Sequence, residues 1–203
     1  MSISTYAELV TALTNWTDRG DLTNRIPEFI NICEARVNRK LRTREMQTEA
    51  NVSLVAGTRT AVLPSDFGEL RRLYLDTSPI RRLEFMTPED YWDRYVGTNT
   101  GKPCVFSIEG SSFVFGPIPD AAYTGKLLYY RKLPALSSSA HGVFVDNPDL
   151  YLYGSLVAAE PFLKNDKRFP LWKGQWDEAM MELEQQSSRA QGSMRIRDDS
   201  NPY

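Results

Sequence analysis

Along this chain the spacing of apolar positions runs from helical to alternating and back to helical. Residues 4 to 17 carry Tyr6, Leu9, Val10, Leu13 and Trp16 three or four apart, which predicts one amphipathic helix. Thr5 and Glu8 stand at capping-box spacing before it, and Gly20-Asp21 break it. A longer helix is predicted from about 22 to 43, burying Ile26, Phe29, Ile30, Cys33, Val37 and Leu41. Pro27 fits only a first turn, where its missing N–H has no intrahelical partner, so the helix should begin near Asn24 or Arg25.

The period then becomes two. Short strands are expected at 49 to 55 and 58 to 63, around the Ala56-Gly57 turn. LPSDF (63 to 67) reads as a strand running out into a turn, with Pro64 fixing φ and Asp66 capping local backbone. Strands follow at 69 to 76 and 80 to 86, each with an arginine pair. Thr87-Pro88-Glu89-Asp90 is a helix start, for a short helix from about 88 to 96. KPCVFSIEG and SSFVFGP form a hairpin around Gly110. GKLLYYRKL (125 to 133) is the most apolar strand and so is expected at the centre of a sheet. After a loop over 134 to 146, helices return at about 148 to 163 and 168 to 189.

Helices, then strands, then helices predict an α+β fold. Residues 1–47 and 147–190 should form a helical bundle, with 48–146 an inserted antiparallel β-domain. Residues 191–203 should form an extended C-terminal tail, too polar to order without a partner. Within NPDLYLYGSLVAAEPFLKNDKRFPLWKGQWDEAMMELE (147 to 184), Tyr151, Ser155, Ala158 and Ala159 allow close helix approach. Trp172, Trp176, Ala179, Met180 and Leu183 recur at helical spacing, so this aromatic stretch reads as helical-hairpin core, and Pro161 should kink or end the first helix.

Composition narrows the function. No apolar run reaches the roughly 20 residues that span a bilayer, and the N-terminus has no signal-peptide pattern, so the protein is expected to stay in a cytosol. The net charge of −2 supplies no field that would draw it to nucleic acid. Cys33 and Cys104 are expected to be reduced, buried thiols. A triad, a Cys-His dyad or a histidine metal site would all rest on His141, which is expected to be exposed and inert in its loop. No phosphate-loop, dinucleotide, nucleophile-elbow or zinc-protease pattern occurs. Asp146 with Asp149 and Asp198 with Asp199 read as solvated acids. The chain is therefore expected to be no enzyme and to need no cofactor or metal.

Arg36, Arg39, Lys40, Arg42 and Arg44 cluster at the end of the second helix, where cations complement the helix dipole and can pair with Glu34 or Glu45. In the Arg71-Arg72 and Arg81-Arg82 pairs, strand alternation would turn one arginine of each inward, which is costly without a carboxylate from another element or subunit. That points to an interface.

The chain resembles the head–tail adaptor (connector) proteins of tailed bacteriophages, the podophage type especially. The resemblance lies in four stretches taken in order. The first is the N-terminal helix pair, with Phe29, Ile30, Glu34, Arg36, Arg39 and Leu41; the second is LPSDF. The third is GPIPDAAYTGKLLYYRKLPAL, and the last is DLYLYGSLVAAEPFLKNDKRFPLWKGQWDEAM. The resemblance implies a structural virion protein, a homo-oligomeric ring, usually dodecameric, beneath the portal protein. Such a ring extends the channel for genomic DNA, without binding it specifically, and receives the tail tube or nozzle protein. It implies assembly in the host cytoplasm, residence at the head–tail interface, and no membrane contact. The helical part would build the ring, and the β-domain would project outward or toward the tail. Arg36, Arg39, Arg42, Arg71 and Arg81 become candidates for contacts between subunits. Met194, Arg195, Ile196, Arg197 and Tyr203, in a tail that alternates like an added strand, become candidates for portal binding. Competing readings are a tail-completion or terminator ring, a DNA-binding protein, and a virion carbohydrate-binding module or lytic enzyme using Tyr91, Trp92 and Tyr95.

Overall fold

A computed structural model describes residues 3–163 and 167–192. The helices in chain order are α1 (Tyr6–Thr17), α2 (Ile26–Lys40), α3 (Pro88–Tyr95), α4 (Gly142–Asp146), α5 (Pro148–Leu163) and α6 (Phe169–Gly192). The strands are β1 (Gln47–Leu54), β2 (Thr60–Val62), β3 (Phe67–Leu75), β4 (Arg81–Arg82), β5 (Glu84–Phe85), β6 (Thr100–Gly101), β7 (Val105–Glu109), β8 (Ser112–Gly116), β9 (Ile118–Pro119) and β10 (Tyr123–Arg131). The fold is α+β, as the sequence order of elements predicts. The chain divides into two compact units: Met1–Glu45 with Leu133–Tyr203, and Met46–Lys132 between them.

In the helical unit α5 is the central element, packed against α1, α2, α4 and α6. Its sequence explains this: no charge falls between Asp149 and Glu160, so it has no face suited to water. Leu150, Tyr151, Leu152, Gly154, Ser155, Leu156, Ala158 and Ala159 are all buried. Pro161 lies in its last turn, and the helix ends two residues later at Leu163. Gly154 marks the closest approach: a Cβ there would land on Cys33 Sγ of α2 and 2.8 Å from Trp176 Nε1 of α6. The absent side chain lets three helix backbones converge.

α2 buries the predicted stripe, with Ile26, Phe29, Ile30, Cys33 and Val37 inside and Leu41 just beyond its end. Each such side chain contributes roughly 1.5–3 kcal/mol by leaving water. Pro27 occupies the first turn, after a 3-10 turn over Gly20–Arg25. α1 carries the predicted capping box, Thr5 Oγ1 accepting from Glu8 N–H and Glu8 Oε2 accepting from Thr5 N–H at 2.9 Å. Its buried side is Leu9, Leu13 and Thr17, a row four apart. Trp16, expected on that side, is 42 % exposed and meets Tyr153 edge to face at the rim.

The strand unit holds two four-stranded sheets, ordered β1-β10-β3-β4 and β2-β8-β7-β5, and the small pair β6-β9. The β10 strand is central, as its composition predicts. The facing sheet surfaces share one core: Val52, Leu54, Leu73, Leu75, Leu127 and Tyr129 from the first, Phe106, Phe113 and Phe115 from the second. On the far side of the second sheet, Val105 and Val114 pack with Tyr91 of α3. That sheet is therefore covered on both faces, which explains why β7 and β8 are apolar at successive positions. β7 and β8 form the expected hairpin, with Gly110 at φ 58° in the turn.

Three expectations are corrected. β1 and β2 flank the Ala56-Gly57 turn but do not pair: β1 joins β10 in the first sheet and β2 joins β8 in the second. Nothing local decides this, because strand partners are chosen by distant burial. The 134 to 146 loop contains α4, and His141 is not exposed but 9 % accessible at its N-cap. Its Nδ1 accepts from Phe144 N–H at 3.3 Å, while Nε2 lies 3.5 Å from Tyr151 Oη. The imidazole fills the capping role more often taken by Ser, Thr, Asn or Asp. Last, Cys104 precedes β7 instead of lying in a strand, and of the two free thiols Cys33 is buried as expected while Cys104 is only partly buried.

Candidate interaction surfaces

Among the described residues no group of three His, Cys, Asp or Glu side chains is placed to hold a metal. No described helix is long and apolar enough to cross a membrane. The residues singled out in the sequence are described below by the surfaces on which they lie.

The arginines of α2 and its exit differ in role. Arg39 is exposed and Arg36 is half-buried. Arg42 is turned back on its own chain: its Nη1 donates to Asn38 O at 3.0 Å and to Leu41 O at 2.6 Å. It thereby satisfies carbonyls that every α-helix leaves open at its C-terminus. Ser187 Oγ of α6 donates to Arg42 O at 3.2 Å, so this corner is tied twice. Glu34, an expected arginine partner, accepts the Leu136 N–H at 2.6 Å instead. Burial raises the pKa of its carboxyl, partly offset by that N–H. Lys40 of α2 lies over the Trp176 ring of α6, 5.2 Å from its centroid.

Beside this corner is a hollow of about 390 Å³ lined by Thr43, Arg44, Glu45, Val143, Leu183, Gln186 and Ser187. Thr43 is buried, and its Oγ1 has no hydrogen-bond partner among the described residues. Burial, and then the neighbouring Asp146, raise the pKa of the Glu45 carboxyl. A second hollow, about 530 Å³, runs along α1 past Ile3, Ala7, Glu8, Thr11, Ala12, Asn15 and Trp16. Both belong to the helical unit.

In the strand unit the arginine pairs contradict the expected alternation. Arg71, Arg72, Arg81 and Arg82 are all exposed, and none enters the core. The reason is local irregularity. The register of β3 on β10 slips between Leu128 and Tyr129, opposite Arg72 and Leu70, so Arg71 is an extra residue and strict alternation fails there. β4 is only two residues long, and the chain leaves the first sheet at Leu83. Arg71 lies over the Tyr130 ring at 5.4 Å from its centroid. A hollow of about 460 Å³ brings Arg71, Arg72 and Arg82 together with Glu84 over Leu70, Leu73, Leu83, Phe85 and Phe106. Sequence reasoning missed this hollow, because it depends on two sheets meeting at Leu83. Met194, Arg195, Ile196, Arg197 and Tyr203 lie outside the described residues.

Tyr91, Trp92 and Tyr95 do not form an exposed platform for a sugar. Tyr91 is fully buried and donates from Oη to Phe115 O at 2.8 Å. Tyr95 stacks on Tyr91 with centroids 5.5 Å apart. Trp92 is bonded through Nε1 to Glu109 and lies beneath the Arg59 guanidinium. Arg59 also donates to Tyr95 O and Gly97 O, closing the end of α3. The aromatics fasten α3 to its sheet.

The LPSDF turn has an equally structural basis. Phe67 N–H donates to Pro64 O at 3.0 Å, Tyr129 Oη donates to Asp66 Oδ1 at 2.7 Å, and Phe67 stacks on Tyr129. Pro64, Asp66 and Phe67 thus lock the entry of β3 onto β10. No curated protein matches the chain. The model of the SU10 adaptor protein family matches residues 4–197, nearly the whole length, and takes in both units. With that match, and with a fold whose identifiable residues serve packing and surfaces, the chain belongs to the SU10 adaptor protein family.

Proposed function

We propose that this protein forms a homo-oligomeric ring, dodecameric in the assembled particle, beneath the portal of a tailed bacteriophage. Family membership makes the chain a phage head–tail adaptor, a structural protein of the virion. The finer reading is that the ring docks under the portal, continues the channel through which genomic DNA passes, and receives the tail tube or nozzle below. Assembly takes place in the host cytoplasm.

The observation that carries the reading is the family match over residues 4–197. The surfaces are consistent with it. Ring closure uses one heterologous contact repeated by symmetry, so a modest, polar interface suffices for each step. Arg36 and Arg39 on the helical unit and Arg71 and Arg81 on the strand unit are available for such contacts. Arg42 would contribute only through the helix corner it holds together. The C-terminal segment with Met194, Arg195, Ile196, Arg197 and Tyr203 is proposed to bind the portal. A net charge of −2 fits a channel through which DNA must slide without being held.

The test is to mix the purified chain with its cognate portal and image the product. A ring of this chain stacked on the portal supports the reading, and counting its subunits separates a dodecamer from a hexameric terminator ring. A chain that stays monomeric beside the portal overturns it. Truncation after residue 192 should abolish stacking.

A further inference from the structure

The first sheet ends in an edge that is covered over only part of its length. β3 runs from Phe67 to Leu75 and pairs with β10 along nearly all of it. On its other side, β4 faces only Tyr74 and Leu75, and one more bond joins Leu83 N–H to Leu73 O. At Leu83 the chain leaves for the second sheet, where β5 pairs with β7. Among the described residues no strand lies beside Leu70, Arg71 and Arg72 on the side away from β10. The place that a longer β4 would fill is the hollow of about 460 Å³.

An uncovered sheet edge is a template for another strand, because its backbone N–H and C=O groups lack a ladder partner. Bulges and charged side chains guard such edges, and β3 carries both at Arg71 and Arg72, but guarding alone does not supply an apolar recess beside the edge. Here the edge borders a hollow with an apolar floor, Leu73, Leu83 and Phe106, each nearly fully buried. Phe85, 51 % exposed, stands at its rim. Three arginines and one carboxylate, Glu84, line the same hollow, and Arg81 stands next to it on β4. Backbone groups to pair, an apolar floor for alternate side chains and a positive rim together define a ligand.

We propose that the hollow between β3 and β5 is a docking site for an extended, acidic segment of a partner protein, which adds as a strand beside Leu70–Arg72. Its backbone pairs with β3, its apolar side chains enter toward Leu73, Leu83 and Phe106, and its carboxylates meet Arg71, Arg72 and Arg82. Backbone pairing supplies affinity, and the alternating pockets and charges supply selectivity. The site needs neither a ring nor a portal to bind, so the free chain tests it separately, while Arg71 is shared with the subunit contacts proposed above.

The probe is a fluorescein-labelled peptide of about eight residues, the length of a common strand, alternating glutamate with valine. Binding to the full chain is read by fluorescence anisotropy. Saturable binding is expected, weakening with salt, and a lysine–valine peptide should bind at least about tenfold more weakly. N-methylation of alternate backbone amides leaves the peptide's charge intact but removes ladder donors. It should also weaken binding about tenfold or more. Arg71→Glu with Arg72→Glu, both exposed positions, should do the same with an unchanged circular dichroism spectrum. Equal binding of the N-methylated and parent peptides would show charge attraction alone and overturn the proposal. So would no binding at all, which would leave the arginines as guards of the edge. Sedimentation showing that the free chain dimerises through this edge, and loses the dimer on charge reversal, would replace the acidic partner with a second copy. Since the assay uses the free chain, its failure would leave portal docking untouched, and a failure of portal docking would leave this result standing.

Discussion

Replacing Gly154 with alanine should destabilise the helical unit even though alanine is the better helix former. In a helix interior alanine gains roughly 1 kcal/mol over glycine. Against this, the new methyl would sit on Cys33 Sγ, 2.8 Å from Trp176 Nε1 and 3.0 Å from Trp176 Cδ1. Carbon contacts are comfortable at about 3.5–4.0 Å, so α2 and α6 must both give way by several tenths of an ångström or more. Neither neighbour is free to do so: Cys33 is fully buried and Trp176 is 5 % exposed. Overpacking a tight core costs about 1–3 kcal/mol. With the clash on two helices at once, the upper end applies, and the net loss is about 2 kcal/mol once helix propensity is subtracted. For a chain of this size that lowers Tm by about 4–8 °C. Thermal and urea unfolding followed at 222 nm measure it. Adding Cys33→Ala removes one of the two obstructing side chains, so the double variant should recover part of the loss, with a favourable coupling in a double-mutant cycle. A Gly154→Ala protein as stable as the parent, or a coupling of zero, would refute the close-approach argument.

Other consequences are equally open to measurement. Tyr129→Phe removes the bond to Asp66 and should cost about 1–2 kcal/mol in urea unfolding, with no change in secondary structure. Burial, and then Asp66, push the Tyr129 hydroxyl up to about 12 from the ordinary 10.0, so this stability is present below pH 10 and is lost as pH rises toward 12. An alkaline titration at 295 nm in which Tyr129→Phe removes no late-titrating phenol would sink that assignment. Cys104, only partly buried, should react with a disulfide reagent in the native protein, and Cys33 only after unfolding. Burial pushes the Cys33 thiol up to about 12, and equal labelling rates for the two would contradict its place between α2 and α5. Burial raises the Glu34 pKa, so ionising it costs stability as pH rises through that raised value. Glu34→Gln keeps an oxygen for the Leu136 N–H. It should match the parent in acid and equal or exceed it at neutral pH, whereas Glu34→Ala should be weaker at both. A glutamine variant less stable at neutral pH than in acid, relative to the parent, would reverse the argument.

Local chemistry was legible in the sequence to the residue. Thr5 with Glu8, Pro27 in a first turn, Thr87 before Pro88 and the α2 stripe from Ile26 to Leu41 all report forces that act within a few residues. Helical spacing likewise identified Trp172, Trp176, Ala179, Met180 and Leu183 as core, and all five are buried. The four stretches of family resemblance span the two units, and the residues that the family model matches include all four. The candidate surfaces were less legible. Alternation suggested an inward arginine in each pair, yet one bulge at Arg71 and one crossing at Leu83 turned all four outward. Loop composition suggested an exposed His141, yet it is buried with Tyr151 packed edge-on against it and Phe144 packed on Tyr151 in turn.

What the sequence determined by itself is therefore where helices begin and which faces are apolar. Turns, caps and periodicity are short-range, and each is written in consecutive residues. Only the tertiary structure decided that β1 and β2 part into different sheets, that Gly154 is the meeting point of three helices, and that among the described residues β3 keeps an open edge beside three arginines. Each of these depends on which distant segment comes to lie alongside, and burial across the whole chain sets that choice.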